Sequence, residues 1–416
     1  MTLPADKPAC LGGTPIFQTL RRVAEPSLPP LADLQPELAT MWAGRSLTNR
    51  GPQAQALGRE LAERLGVAVA LSASGTAGLM ATLRALDIRG EVIVPAYTFP
   101  ATALSVVWAG ARPVFADVDP DTWSLTPERC ADRLGPATEA ILPVHLFGRP
   151  CERAPLEDFA ARHGLALIFD AAHAFGSRYP DGTPVGAGGT AEVFSFHATK
   201  VLPMGEGGAV ATRDDDLAHR ADLLTVFGNR GDGVSELPGF NGKMQEWNAL
   251  LGRHALREVD AWIERRAELV RRYRAALGQL PGLSFQAGHE GATVAHQYFA
   301  VRVDPVALGL NVEELRQALW AEGIEGRRYY APALHHHPAY DDLVTPPLPT
   351  VDALADSVIC LPLYAHLTDD ELDGICTAIH RLFAWRDTWR DTFGMTATAP
   401  TAALGQPPIG AFGGST

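Results

Sequence analysis

Three stretches of this chain set reactive side chains at the ends of apolar runs. In VFSFHATKVLPMGEGGAVAT one run delivers Ser195, and Lys200 follows in a turn rich in Pro and Gly, just ahead of a further apolar stretch. In LALIFDAAHAFGS an apolar run leads to Asp170, with His173 close behind. In VAVALSASGTAGLMATL a run passes through Ser74, Gly75 and Thr76 directly into a helical pattern. Of the 35 basic residues only three are lysines, Lys7, Lys200 and Lys243, so arginine is the default cation here. A lysine kept between apolar runs raises the question of what it does that arginine cannot. Burying an ammonium is costly and drives it toward the neutral amine, which is a nucleophile.

Such an amine forms a Schiff base with a carbonyl. A carboxylate at the carboxyl end of a strand stands where open α/β sheets bind ligands, and buried it needs a cationic partner. Backbone N–H groups at a helix start, beside small residues and a hydroxyl, make a cradle for phosphate. That cradle matches neither GxGxxG nor GxxxxGK[ST], so neither a dinucleotide fold nor a P-loop is indicated. Singly, each feature has a plain structural use: Ser74 or Asp170 as a helix cap, Lys200 as a solvated loop residue. Together they are the parts that pyridoxal 5′-phosphate (PLP) requires: an amine for its aldehyde, a carboxylate for its pyridine nitrogen and a seat for its phosphate.

The elements that must hold these residues read as a doubly wound α/β sheet. From about 52 to 212 short apolar runs at 67–71, 92–94, 113–116, 140–144, 165–169 and 193–196 alternate with helical stretches such as 76–86 and 153–163. Ala54, Leu57, Leu61 and Leu65 recur at helical spacing before Gly66, a natural stop. Residues 244–279 contain no proline and predict one or two long helices. Beyond Pro281 the pattern predicts a smaller α+β domain. The expected organisation is an N-terminal segment 1–50 partly joining the small domain, a large domain 51–250, connecting helices 251–280, a small domain 281–392 and a disordered tail 393–416, rich in Ala, Thr, Gly and Pro.

Composition narrows the partners. The 416 residues are 46% hydrophobic and 20% charged, and no apolar run approaches the ~18 residues of a membrane span. No secretory signal is visible, and five scattered cysteines argue against a disulfide framework or zinc site, so a cytoplasmic location is expected. A formal charge of −13 disfavours nucleic acid and anionic membranes and leaves small molecules as partners.

The order and wording of the segments resemble the DegT/DnrJ/EryC1/StrS family of PLP-dependent sugar aminotransferases over roughly residues 10–390. The resemblance is carried by SLTNRGPQ (46–53), ASGTAGL (73–79), EVIVPAYTFPATALSVVWAGARPVFADVDPDTWSL (91–125), ILPVHLFG (141–148), FDAAHAFGS (169–177), SFHATK (195–200) and GFNGKMQEWNA (239–249). It implies PLP fold type I, aspartate-aminotransferase-like, with a mixed, mostly parallel sheet in the large domain. It implies Lys200 as the Schiff-base lysine and Asp170 at the pyridine nitrogen. Gly75, Thr76 and Ser195 would hold the phosphate, Phe99 would stack on the ring and His173 would lie near it. Lys243 would reach the phosphate of a neighbouring subunit, making the protein a homodimer with shared sites.

The wording around SFHATKV, NGKM and RRYYAPALHHHPAY is similar to the branch that aminates C4 of a nucleoside-diphosphate 4-keto-6-deoxy sugar, most often dTDP-linked, with L-glutamate as amino donor in a ping-pong sequence. A C3-specific enzyme or a cyclitol aminotransferase acting on a keto-inositol would share nearly every cofactor residue. A non-catalytic PLP-binding sensor is the alternative from another class. Arg230, Arg327 and Arg328 are candidates for the sugar diphosphate, and His335 for the sugar site. Asn229-Arg230-Gly231 stands where the family often has histidine before glycine, a departure on the substrate side. No metal is expected at His335-His336-His337, because adjacent residues point apart and no carboxylate ligand accompanies them in sequence.

Overall fold

The computed structural model describes residues 6–393; the expected tail lies, apart from its first residue, outside the described residues. Seven strands form the main sheet: β1 (Ala68–Ser72), β2 (Glu91–Pro95), β3 (Arg112–Ala116), β4 (Thr138–Ile141), β5 (Ala166–Asp170), β6 (Ala191–Ser195) and β7 (Gly208–Thr212). Their spatial order is β1-β7-β6-β5-β4-β2-β3. The run from β6 to β3 is parallel, and only β7 is antiparallel to its neighbours. Strands of this kind are buried on both faces, which is why they read as continuous apolar runs. The sequence expectation of a strand over 140–144 is shortened to Ile141 at its end. Pro143 has no N–H to give the ladder, although its carbonyl still accepts from Asp170.

Helices cover the sheet. After α1 (Leu31–Gly44), α2 (Pro52–Leu65) buries the four residues whose spacing foretold it and ends on Gly66 at φ 70°. The left-handed backbone there suits glycine and closes the helix with a bond to Ala62 O. The crossovers carry α3 (Gly75–Ala85), α4 (Pro100–Ala109), the short α5 (Pro127–Ala131) and α6 (Arg153–His163); α7 (Asp215–Leu224) follows β7. Residues 244–279 resolve as one helix, α8 (Glu246–Leu277), about 48 Å long at 1.5 Å per residue.

Beyond it lies a three-stranded antiparallel sheet in the order β10-β9-β8: β8 (Leu283–Phe285), β9 (Phe299–Val303) and β10 (Val358–Leu361). The helices α9 (Pro305–Leu308), α10 (Val312–Ala321), α11 (Pro349–Ser357), α12 (Asp369–Ala384) and α13 (Arg386–Phe393) accompany it. The N-terminal segment lies against this part: Phe17 N donates to Glu322 O, and Arg21 bridges Ile324. The buried Glu322 side chain accepts from Ala9 N and Ile16 N and pairs with Arg381.

Candidate active site

The carboxyl ends of β5 and β6 and the start of α3 converge on one place. β5 delivers Asp170, only 4% exposed. Its Oδ2 accepts a 2.7 Å hydrogen bond from Thr102 Oγ1, in the first turn of α4, and its Oδ1 accepts from Ala172 N at 3.0 Å. Burial pushes the Asp170 pKa up, and these two donors and the charge of Lys200 work against that rise. No Arg or Lys forms an ion pair with Asp170 among the described residues; the charge of Lys200 is felt without direct contact. A buried carboxylate left in this state calls for a cation.

Lys200 stands in the turn after β6, with its N–H donating to His197 O at 2.9 Å. Burial pushes its pKa down to about 8, opposed by the carboxylates of Asp170 and Glu206. The turn itself is held from outside. Gln297, fully buried just before β9, accepts from Val201 N at 3.0 Å and donates to Thr199 O at 2.7 Å, clamping the residues on both sides of Lys200.

Ser74 caps α3, its Oγ accepting from Ala77 N at 3.1 Å. The N–H groups at the start of a helix have no partner within it and face what lies in front. Gly75 allows the close approach here: a Cβ on it would lie 2.9 Å from Ser195 Cβ at the end of β6. A Cβ on Gly208, which pairs with Ser195, would lie 2.5 Å from the Ser74 carbonyl. Small residues and hydroxyls from Ser74 to Thr76 and at Ser195 thus surround one helix start.

His173 is buried. Its Nδ1 accepts from Phe147 N at 3.2 Å, its Nε2 lies 3.3 Å from Tyr330 Oη, and burial and then Lys200 hold its pKa well below the usual imidazole value. Phe99, the N-cap residue of α4, keeps 41% of its surface and meets Tyr330 edge-on at 6.0 Å. Tyr97 Oη donates to Tyr329 O at 2.6 Å, tying the 329–330 segment to the carboxyl end of β2.

The remaining expected residues are scattered. Lys243 donates to Asn241 Oδ1 at 2.7 Å, lies 4.9 Å over the Phe227 ring and lines a cavity of about 190 Å³ with Arg50 and Asp222. Among the described residues its side-chain hydrogen bond goes to Asn241 and not to Gly75, Thr76 or Ser195, although the neighbouring Gly242 O accepts from Ala73 N. Arg230 sits in an exposed loop, paired with Glu236 at 2.8 Å. Arg327 pairs with Glu325 at 2.7 Å and reaches Tyr329 Oη at 3.4 Å. Arg328 turns the other way, donating to Ala355 O with Asp356 and Glu313 near it, so the structure does not bring it to the site. Adjacent residues of extended chain face opposite sides, and only one of this pair can face the tyrosines.

His335 is also drawn elsewhere. Its Nε2 lies 3.1 Å from Asp352 Oδ1, and His336 Nε2 lies 2.8 Å from the same oxygen. This corrects two sequence arguments at once. The 3₁₀ turn Leu334–His336 sets the two imidazoles side by side, 3.9 Å between centroids, and α11 supplies the carboxylate that the local sequence lacks.

Thr102, Gln297, Tyr329 and Tyr330 were not singled out from sequence. Thr102 lies within TFPAT beside Phe99, which is a usable signal; Gln297 carries none, because it precedes an ordinary apolar strand.

The donor set fits PLP: a buried carboxylate without a cation in contact, an amine driven toward neutrality, and a helix start that a glycine leaves open. Comparison with known proteins agrees. The model of the DegT/DnrJ/EryC1/StrS aminotransferase family matches residues 32–380. A dTDP-4-amino-4,6-dideoxy-D-glucose transaminase of Shigella dysenteriae is 36% identical over 370 residues, 88% of this chain and 99% of that one. A dTDP-3-amino-3,4,6-trideoxy-alpha-D-glucose transaminase of Streptomyces venezuelae is 36% identical over 299 residues, 71% of this chain and 77% of its own. The solved structure of DesI in the presence of its TDP-sugar product superposes with a TM-score of 0.87 at 37% identity, covering 92% of this chain and 98% of that one. The chain therefore belongs to the DegT/DnrJ/EryC1/StrS aminotransferases, a PLP-dependent family of enzymes.

Proposed function

We propose that this enzyme moves an amino group from L-glutamate to the C4 keto carbon of a dTDP-linked 4-keto-6-deoxy sugar. The observation that carries the chemistry is the pairing of Asp170 and Lys200 in one buried place, with no ion pair between them and a coenzyme-sized group's worth of chemistry to divide. Bound PLP supplies an aldehyde that condenses with amines and a ring that accepts electron density. The chain's own residues do the rest. Asp170, buried and accepting from Thr102, would hold a proton at the ring nitrogen. Lys200 Nζ, with a pKa near 8, is neutral often enough at physiological pH to take a proton from the donor's Cα. In the second half of the cycle it returns a proton to the carbon of the acceptor. Gly75, Thr76 and Ser195 would seat the phosphate, Phe99 would stack on the ring, and His173, its pKa held low by burial, would lie near it. Two half-reactions sharing one amine carrier give ping-pong kinetics.

Support for C4 is the length over which the 4-amino relatives align; the 3-amino relative, equally identical over a shorter span, favours C3 as the second reading. Arg327 is the candidate for the sugar diphosphate, a reading supported by its 3.4 Å approach to Tyr329 Oη. A homodimer, with Lys243 serving the neighbour's phosphate, is supported by an exposed apolar pair: Trp42 and Trp247 meet edge to face at 6.2 Å yet remain 66% and 40% exposed. Among the described residues no helix is long and apolar enough to cross a membrane.

The test is the reverse reaction with 2-oxoglutarate and a panel of 4-amino and 3-amino sugars linked to dTDP, UDP and GDP. Glutamate formed from a dTDP-4-amino sugar, and lost in Lys200→Arg, is the expected result. Turnover of the 3-amino sugar alone would move the reaction to C3. A coenzyme absorbance band that ignores every amino donor would point to a binding protein instead.

A further inference from the structure

One cluster of metal-ligating side chains takes no part in the proposed reaction. His335 Nε2 and His336 Nε2 share Asp352 Oδ1, and one ligand atom from each of the three residues lies within 4.8 Å of the others. It is the one group of three such residues with this spacing among the described residues. We propose that His335, His336 and Asp352 bind a divalent transition metal of the Zn²⁺, Co²⁺ or Ni²⁺ kind.

The argument begins with the partners this carboxylate has. In a chain whose other ion pairs are mostly made by arginine, Asp352 pairs with no Arg or Lys among the described residues; both of its partners are imidazoles. An arginine would satisfy a carboxylate better but cannot ligate a cation. Two imidazole nitrogens and a carboxylate oxygen form a donor set of the borderline type, which suits Zn²⁺, Co²⁺ and Ni²⁺ rather than Mg²⁺ or Ca²⁺.

Burial makes the set more than a surface coincidence. The His335 side chain is 8% exposed, and its Nδ1 is buried with no hydrogen-bond partner. Asp117 adds a second negative charge felt by His335. Its carboxylate accepts from Thr350 N and Val351 N and thereby fixes the first turn of α11, which carries Asp352. The carboxylates of Asp352 and Asp117 beside the two imidazoles favour a divalent cation at this place. His336 and Asp352 keep 55% and 42% of their side-chain surfaces, so an ion can enter and water can complete its shell. His337 is not part of the set; its Nε2 lies 3.1 Å from Pro332 O.

A metal here would staple the 334–336 turn to α11. The turn is anchored to the main sheet through Leu334 N, which donates to Ala96 O at 3.0 Å. The staple would therefore close the loop between the turn and α11 and brace the segment that carries Tyr329 and Tyr330.

The test uses full-length holoenzyme without a histidine tag, stripped with chelator and titrated with Zn²⁺ and, separately, Co²⁺. Binding of one ion per chain is expected, with Co²⁺ giving visible d–d bands at wavelengths longer than the coenzyme's. Asp352→Asn and His336→Ala should each weaken it by at least ~tenfold. Mg²⁺ should not compete. Equal Zn²⁺ binding in the wild type and both variants would overturn the proposal, as would no binding by the wild type at millimolar Zn²⁺. Because His336 is largely exposed, its variant separates loss of a ligand from loss of the fold.

Discussion

Thr102 Oγ1 donates a 2.7 Å hydrogen bond to Asp170 Oδ2, and both side chains are buried. The Thr102 hydroxyl also lies 3.0 Å from that of Thr98, so the approach to α4 and its first turn present a short hydroxyl chain to the carboxylate. Thr102→Val keeps the shape and removes the donor. The Asp170 pKa, already pushed up by burial, should then rise further, moving the acid limb of the kcat/KM profile up by about one to two pH units. An unmoved acid limb would show that Thr102 does not tune Asp170.

Gln297→Leu should leave Val201 N–H and Thr199 C=O without their partner, at a cost of about 1–3 kcal/mol for each buried group. The turn holding Lys200 would loosen. The expected signature is kcat lower by about 10- to 100-fold with KM little changed. Equal losses of stability and folded fraction, with normal kcat per folded molecule, would make Gln297 a core residue only.

For Gly75→Ala the added Cβ would fall 2.9 Å from Ser195 Cβ, a contact that forces α3 and β6 apart. Overpacking of this kind costs about 1–3 kcal/mol. Because the same spot is the proposed phosphate seat, coenzyme affinity should drop more than stability does, which dialysis of the holoenzyme followed by absorbance measures. Full retention of coenzyme would remove the cradle from this helix start.

His173 gives a pH dependence with a definite sign. Its folded pKa lies well below the ~6.5 of the unfolded chain, so between the two values the unfolded state binds the extra proton. The contribution of His173 should be flat above about pH 7 and fall as the pH drops below ~6.5, by up to about 1.4 kcal/mol per pH unit. Denaturant melts from pH 7.5 to 5 check it, and His173→Gln should show a shallower slope.

Residues placed by one local pattern were legible in the chain itself. Asp170, Ser195 and Gly75 each stand where an apolar strand ends or a helix begins, and such junctions are written in a few consecutive residues. Lys200 was visible because lysine is scarce here. What lay beyond reach depended on which way a side chain turns or on distant partners. Arg327 and Arg328 read alike, yet one meets Tyr329 and the other turns to Ala355 and Asp356. Gln297 reaches Lys200's turn across almost a hundred positions of sequence, and Asp352 reaches the histidines only because α11 folds back beside them.

The long helix α8 has a mechanical consequence. Ala249, Ala255, Val259 and Ile263 belong to the core under the main sheet, while Leu269, Val270, Tyr273 and Leu277 belong to the core of the small one. Between them Arg266, 1% exposed, donates to the carbonyls of His296 and Leu363 from the other chain segments at that level. The two cores are thus threaded on one unbroken axle with a locking pin between them. Bending there would have to strip a guanidinium of its carbonyls, so the two halves should melt as a single cooperative body.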